Sequence, residues 1–147
     1  MLDRIHWLGH AAFRLAAHAV IYLDPFQIAP GPVADVILIT HRHRDHCSPE
    51  DIAKVSGPAT QLLAPADCLD VLPSSARAIA PGETVALPGV EVSAVPAYNI
   101  DKPNHPRSNG WVGYVVSVDG TRIYHAGDTD LIPEMRTIRA DIALLPI

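Results

Sequence analysis

The chain has 147 residues, the length of one domain that can bury a hydrophobic core. Its net charge of -5 gives no basic footprint for nucleic acid, and no apolar run approaches the length of a membrane span. We therefore expect a single domain over residues 1–147 that uses neither partner. The N-terminus lacks the apolar region of a signal peptide, so a cytoplasmic location is expected.

The first three strands are predicted at residues 2–7, 12–16 and 19–23. His10, in the first connection, is either a polar residue on the rim of a site or a turn histidine bonded to the backbone. Asp24 ends the third strand, where a buried carboxylate needs a donor such as the second ring N–H of a metal-bound histidine. The alternative for Asp24 is a simple turn before Pro25.

The next strand, at residues 34–39, leads directly into Thr40-His41-Arg42-His43-Arg44-Asp45-His46. His41 and His43 lie two apart, so in extended chain their rings point the same way and can share one metal ion. Asp45 and His46 follow past a turn and can face a second ion. Imidazole and carboxylate suit zinc, manganese or iron. The alternative is a solvated loop rich in histidine and arginine.

Alternating short elements follow the metal loop. Ser48 is a predicted helix N-cap, with proline at the first position, and the helix should end near Val55. A strand at residues 60–64, a helix at 66–72 and a strand at 76–80 then indicate a parallel α/β arrangement. Cys47 and Cys68 form no disulfide framework, and Cys47 is expected to pack as a small residue.

Hairpins dominate the remainder, with strands predicted at residues 84–87, 90–96, 112–118 and 121–125. Asp128 follows the last of these, where a carboxylate can bridge two cations. His125 is expected to pack in the core, and Asp130 is expected to cap a helix.

The polar segment from Tyr98 to Gly110 carries two prolines and no apolar periodicity. Such an insertion is usually functional or disordered. Its candidate residues for substrate binding are Tyr98 and Asn99.

The chain resembles the metallo-β-lactamase fold superfamily, in the branch that includes ascorbate phosphate lactonase-like proteins and many uncharacterised hydrolases. The resemblance is carried by His41 to His46 and by the stretches Trp7 to Phe13, Asp24-Pro25, Pro96 to Asn99, Gly110 to Tyr114 and Tyr124 to Asp130. It implies an α/β fold of the αββα sandwich type, with its C-terminal part missing or shortened. It also implies that Asp128 is the bridging aspartate and that Asp24 and His10 support the ligands.

The family's third histidine ligand is absent at Pro96 to Asn99, the place where the resemblance puts it. We expect His105 to take this role. The rival is a mobile surface histidine at 105, with Asn99 or water completing the site.

The apolar run from Asp141 to Ile147 is predicted to be a strand buried on both faces. The family continues beyond this point and supplies one more histidine for the second metal. We therefore expect either a truncated product or completion by a second polypeptide or an oligomeric partner.

The resemblance implies a metal-dependent hydrolase that uses a metal-bound hydroxide to cleave an ester, lactone or phosphoester of a small molecule. One ion is expected on His41, His43 and His105, and the second on Asp45 and His46, which are also the expected catalytic residues. One or two zinc ions are expected, with manganese or iron as alternatives. The rival function is a catalytically weak metal-binding half-fold that acts as a subunit.

Overall fold

The computed structural model describes residues 1–146, which fall into two units, Met1–Ile79 and Ala80–Ile147, the last residue not being described. Each unit is built on one β-sheet. A single domain over residues 1–147 stays a prediction.

The sheet of the first unit has six strands in the order β1-β2-β3-β4-β5-β6. Strands β1 to β3 pair antiparallel, and β3 to β6 pair parallel, as the alternation of strands and helical segments predicts. The strands are β1 (Ile5–Gly9), β2 (Ala12–Ala16), β3 (Val20–Leu23), β4 (Val36–Leu38), β5 (Gln61–Ala64) and β6 (Arg77–Ala78).

Strand β4 lies in the interior of this sheet, and its three residues are all buried. Ile37 is opposite Tyr22 on β3 and Leu62 on β5. A parallel strand with a neighbour on each side needs apolar side chains on both faces, which explains the uninterrupted apolar run before Thr40. The carboxyl end of β4 therefore delivers the histidine-rich loop to a fixed place.

Helix α1 spans Pro49–Val55, as predicted. The hydroxyl of Ser48 accepts a hydrogen bond from the backbone N–H of Asp51 at 3.3 Å, which confirms the predicted cap. The Asp51 carboxylate also accepts hydrogen bonds from the backbone N–H groups of Gln27 and Ile28 and from Lys54. One buried carboxylate thus joins the helix to the loop that follows β3.

The sheet of the second unit has five strands in the order β11-β10-β9-β8-β7, and both predicted hairpins are present. All neighbours pair antiparallel except β10 and β11, which are parallel. The strands are β7 (Thr84–Leu87), β8 (Val90–Pro96), β9 (Val112–Val118), β10 (Thr121–His125) and β11 (Ile142–Leu144).

Gly113 on β9 permits a close approach of the chain that leads to Asp128. A Cβ atom at this position would lie 2.8 Å from the carbonyl oxygen of His125 and 2.9 Å from that of Ala126. These are backbone atoms, so a larger side chain has no flexible neighbour to displace.

No helix within residues 1–146 is long and apolar enough to cross a membrane. The helix expected at residues 66–72 is only a 3-10 turn, Ala66–Cys68, and Pro73 disfavours the helical backbone conformation at Leu72, which shortens the segment. The prediction that Asp130 caps a helix is wrong. A 3-10 helix at Pro133–Thr137 has Ile132 at its N-cap, and the Asp130 carboxylate binds Ile100 and Lys102.

Strand β11 is not buried on both faces, which corrects the expectation for the chain end. Ile142 and Leu144 are partly buried, whereas Ala143 and Leu145 are exposed. The physical reason is that, within residues 1–146, β11 is the edge strand of the sheet and has β10 as its partner, so part of its surface stays open to solvent. Ile147, the last residue of the predicted strand, lies outside the described residues.

We expect Asp51→Asn to lower the free energy of unfolding at pH 7 by about 2–3 kcal/mol, because hydrogen bonds to a buried charged group are lost. Burial raises the pKa of Asp51, but hydrogen bonds from Lys54, Ser48 and the loop outweigh it, so the pKa lies below its ordinary value of 3.8. The stabilisation is therefore present above about pH 4 and is lost as the pH falls through the lowered native pKa.

Urea unfolding of wild type and Asp51→Asn between pH 2 and pH 7 checks this prediction. Glu50→Gln, an exposed neighbour in the same helical turn, is the control and should change stability little. A difference between wild type and Asp51→Asn that persists undiminished at the lowest pH would contradict the assignment.

Gly113→Ala should destabilise the protein by about 1–3 kcal/mol, because the added methyl group overpacks against two backbone carbonyls. Chemical denaturation measures the effect. Ser117→Ala on the same strand is the matched control, expected within about 0.5 kcal/mol of wild type. Equal stability of the two variants would show that the chain at His125 and Ala126 moves aside without cost.

Candidate metal centre

The loop after β4 is folded back on itself so that its histidines approach one another. Ile39 N–H donates to the carbonyl of Leu63, which holds the end of the strand. The N–H groups of His46 and Cys47 both donate to the carbonyl of His43, which closes a turn. Histidines that would be spread along an extended chain therefore lie close together in this loop.

Three imidazole rings meet in this cluster. The ring centroids of His41 and His43 are 4.8 Å apart, and those of His41 and His46 are 4.0 Å apart. His41 and His46 are buried, whereas His43 is exposed. Burial of two of the rings contradicts the reading of the loop as a wholly solvated one.

Asp24 fixes the orientation of the buried rings. Its carboxylate accepts hydrogen bonds from the backbone N–H of Thr40 at 2.7 Å and from the Thr40 hydroxyl at 2.6 Å. The same carboxylate lies 2.8 Å from His46 Nδ1, and the Thr40 hydroxyl oxygen lies 2.9 Å from His41 Nδ1. Both rings are thereby held through Nδ1, so Nε2 is the ring atom that each could offer to a metal ion.

The ring of His10 contacts the histidine cluster through Asp45. This contact differs from the alternative of a turn histidine whose ring is bonded to the backbone. His10 Nε2 lies 2.9 Å from Asp45 Oδ2, and His46 Nε2 lies 3.8 Å from the same oxygen. Burial raises the pKa of Asp45. Electrostatic attraction to His46 and hydrogen bonds from the Asp45 backbone and from His10 lower the pKa by more, so it lies below its ordinary value. Asp45 is therefore a carboxylate at neutral pH.

The donor atoms of the first unit fit a divalent metal ion. His10, Asp45 and His46 each offer one ligand atom within 4.8 Å of the others, and the same holds for Asp24, His41 and His46. Neutral imidazole nitrogen and carboxylate oxygen are the donors that zinc, manganese and iron take in proteins. Because Asp24 already accepts three hydrogen bonds, we interpret it as the support of the histidines.

Neighbouring residues of the loop serve other purposes. Arg42 makes a two-pronged ion pair with Asp70 at 2.7 and 2.9 Å and also donates to the carbonyl of Asp67. Cys47 is buried in the hydrophobic core, which confirms its packing role.

In the second unit, His105 is buried rather than a surface residue. Its ring packs edge-on against Trp111, with centroids 4.6 Å apart, and its Nε2 lies 3.8 Å from Asp128 Oδ2. Asp128 is half-exposed and follows Gly127, whose positive φ of 62° turns the chain after β10. His125 is buried, as expected of a packing residue.

The loop that carries His105 is tied to the chain after Asp128. The Thr129 hydroxyl both accepts from Tyr98 N–H and donates to the Tyr98 carbonyl, and Asp130 accepts from Ile100 N–H. The side-chain amide of Asn99 donates to the carbonyl of Asn104 within the loop. Asn99 therefore has a structural contact in the place where a substrate contact was predicted.

Glu134 holds the other side of this loop. Its carboxylate accepts from the Tyr98 hydroxyl at 2.9 Å and from Arg107 at 2.9 Å, and the Arg107 guanidinium lies 5.4 Å from the centre of the Tyr98 ring. Burial and the hydrogen bond to Glu134 raise the pKa of Tyr98. The Tyr98 hydroxyl is thus neutral and donates a hydrogen bond.

Sequence reasoning missed several residues that position the candidate ligands. Thr40 stands inside the motif, but only its contacts with Asp24 and His41 give it a role. The contacts that hold the His105 loop were also missed. Trp111 directly follows the loop, whereas the other partners lie far from it in sequence; they are Thr129, Asp130 and Glu134.

Comparison with known proteins identifies relatives of the chain. Residues 4–147 match the family model described as a beta-lactamase superfamily domain. A UPF0173 metal-dependent hydrolase of Thermoplasma acidophilum is 35% identical over 98% of this chain and 70% of its own length. Its counterpart in Archaeoglobus fulgidus is also 35% identical, over 98% of this chain and 71% of its own length.

Solved structures confirm the predicted fold class. The crystal structure of a Parabacteroides distasonis protein named as a metal-dependent hydrolase superposes with a TM-score of 0.89 at 36% identity, covering 97% of this chain and 69% of that one. Igni18, a metallo hydrolase from Ignicoccus hospitalis, has a TM-score of 0.74 at 23% identity and shows the fold alone, over 97% of this chain and 70% of that one.

Asp24→Asn should weaken binding of Zn²⁺ about 10- to 100-fold, because an amide nitrogen facing His46 Nδ1 removes the acceptor that orients the ring. Calorimetric titration against a competing chelator measures the affinity. Asp35→Asn is the control, since Asp35 also accepts a backbone hydrogen bond in the first unit, from Val20. Equal Zn²⁺ affinity of Asp24→Asn and wild type would remove Asp24 from the metal centre.

Proposed function

This chain belongs to the beta-lactamase superfamily and to its UPF0173 metal-dependent hydrolases, and we propose that it cleaves an ester, lactone or phosphoester of a small molecule. The observation that supports this reaction is the pair His41 and His46, whose rings are oriented by Thr40 and Asp24. Asp45 lies beside His46 and is held by His10. Such a group has the donors and the rigidity that a metal-assisted hydrolysis requires.

We propose zinc as the metal, in one or two ions, with manganese or iron as alternatives that the same donors accept. A divalent ion held by these residues would lower the pKa of a bound water to about 7 and would polarise the substrate oxygen. It would thereby supply the nucleophile, so no serine or cysteine side chain is required.

The roles of the ligand residues follow from their hydrogen bonds. His41 and His46 offer Nε2 because their Nδ1 atoms face Thr40 and Asp24. Asp45 is held as a carboxylate, and its position between His10 and His46 suits it to accept a hydrogen bond from the attacking water and orient it. His43 is proposed as a further ligand because its ring packs against that of His41.

His105 and Asp128 are proposed as further metal ligands. Tyr98 and Asn99 are proposed as substrate contacts. The resemblance to the family motif supports Asp128, and the burial of His105 beside it, at 3.8 Å, supports the histidine. A buried histidine in a polar loop requires a reason, and metal ligation supplies one. Completion of the site by a homo-oligomer or a second chain stays part of this proposal.

Removal of metal with a chelator should abolish hydrolysis of 4-nitrophenyl acetate, and readdition of Zn²⁺ or Mn²⁺ should restore it. His46→Ala should lower kcat/KM by at least a hundredfold and reduce the metal content measured by elemental analysis, because a buried ligand is lost. His18→Ala, at an exposed histidine of the first unit, is the control and should keep both values.

The same assays decide about the second unit. His105→Ala should also lower the metal content, and an unchanged metal content in that variant would remove His105 from the ligand set. Wild-type protein that binds metal but hydrolyses nothing would favour the rival function, a metal-binding subunit. Sedimentation analysis then tests for an oligomer.

A further inference from the structure

A pocket of about 320 Å³ opens in the second unit beside the His105 loop. Its volume lies at the lower end of the range for ligand sites, about 300–1,000 Å³, so it suits a small group. It is lined by Pro81, Gly82, Pro96, Ala97, Tyr98, Arg107 and Trp111. Four of these residues carry rings and only Arg107 is charged, so the lining suits a compact, apolar occupant.

The polar groups of this wall are already engaged with one another. The Tyr98 hydroxyl donates to Glu134, and Arg107 donates to the other oxygen of the same carboxylate, each at 2.9 Å. The positive charge of Arg107 is therefore compensated by Glu134. What remains for an occupant is the apolar surface of the prolines, Ala97, Trp111 and the part of the Tyr98 ring that Arg107, 5.4 Å from the ring centre, does not cover. An uncharged apolar group fits this surface better than a phosphate.

The pocket shares a wall with the candidate ligands of the same unit. Trp111, which lines the pocket, packs against the ring of His105. Tyr98, which also lines it, is hydrogen-bonded through its backbone to Thr129, the residue after Asp128. A group bound in the pocket is thus one side chain away from His105.

We propose that this pocket binds a single uncharged ring, aromatic or alicyclic, carried by an ester or lactone substrate. The inference rests on the proposed function and narrows it, because it favours carboxylic esters and lactones over phosphoesters. Tyr98 contributes its ring to recognition and its hydroxyl to the anchor on Glu134. Trp111 lines the pocket and packs against His105, so it lies between the occupant and that histidine.

Binding is tested first without any reaction, by titrating ¹⁵N-labelled protein with benzamide. The two tryptophans give two indole N–H signals, which Trp7→Phe assigns. We expect benzamide to shift the Trp111 signal and leave that of Trp7, an exposed residue of the first unit, unchanged. Inorganic phosphate should shift neither signal.

Kinetics test the same pocket through substrate choice. We expect kcat/KM for 4-nitrophenyl benzoate to be at least tenfold higher than kcat/KM for 4-nitrophenyl acetate, after each value is divided by the rate of hydrolysis of that ester by free hydroxide. Ala97→Leu fills the pocket and should lower this ratio about tenfold, the size expected for a change of a few methylenes in an apolar pocket. Ala86→Leu, the same change at an exposed position of β7, should leave the ratio as in wild type.

Each outcome decides between the claims. A Trp111 shift with benzamide but no hydrolysis of any ester, lactone or phosphoester supports the pocket and overturns the proposed function. Hydrolysis without ring preference and without a Trp111 shift overturns the pocket and leaves the function standing. A Trp111 shift with phosphate alone also overturns the proposal, since it would identify an anion site at Arg107.

Discussion

The buried carboxylate of Asp24 is the interaction on which the candidate metal centre depends. An ionised group removed from water is costly unless hydrogen bonds compensate it, and Asp24 has three polar neighbours within 2.8 Å. Its backbone has a positive φ of 43°, a conformation that non-glycine residues adopt rarely. The strain is accepted where one side chain aligns the backbone of Thr40 with the ring of His46.

Carboxylates have the same structural use elsewhere in the chain. Asp51 holds the loop at Gln27 and Ile28, and Asp130 holds Ile100 and Lys102. In both cases the acid accepts backbone N–H groups of an irregular segment that has no ladder partner. Asp51 and Asp130 therefore hold loops in place. Asp45 differs, because its neighbours are His10 and the candidate metal ligand His46.

The loop from Tyr98 to Gly110 combines both kinds of surface. It is anchored on Thr129, Asp130 and Glu134, and the Tyr98 residue at its start also lines the pocket. These anchors hold the segment around the buried His105. Most of the pocket lining, including Pro81, Pro96 and Trp111, comes from residues outside the polar loop.

The sequence by itself determined the elements whose cause is local. The apolar run of β4, the cap of α1 and the two hairpins follow from residues next to one another, and the spacing of His41, His43, Asp45 and His46 predicted a metal loop. Only the tertiary structure decided that Asp130 anchors a loop, that β11 is an exposed edge, that His105 is buried, and that Thr40 and Trp111 position histidines. These depend on contacts between residues distant in sequence or on the hydrogen-bond geometry of the folded loop, which local periodicity and propensity do not encode.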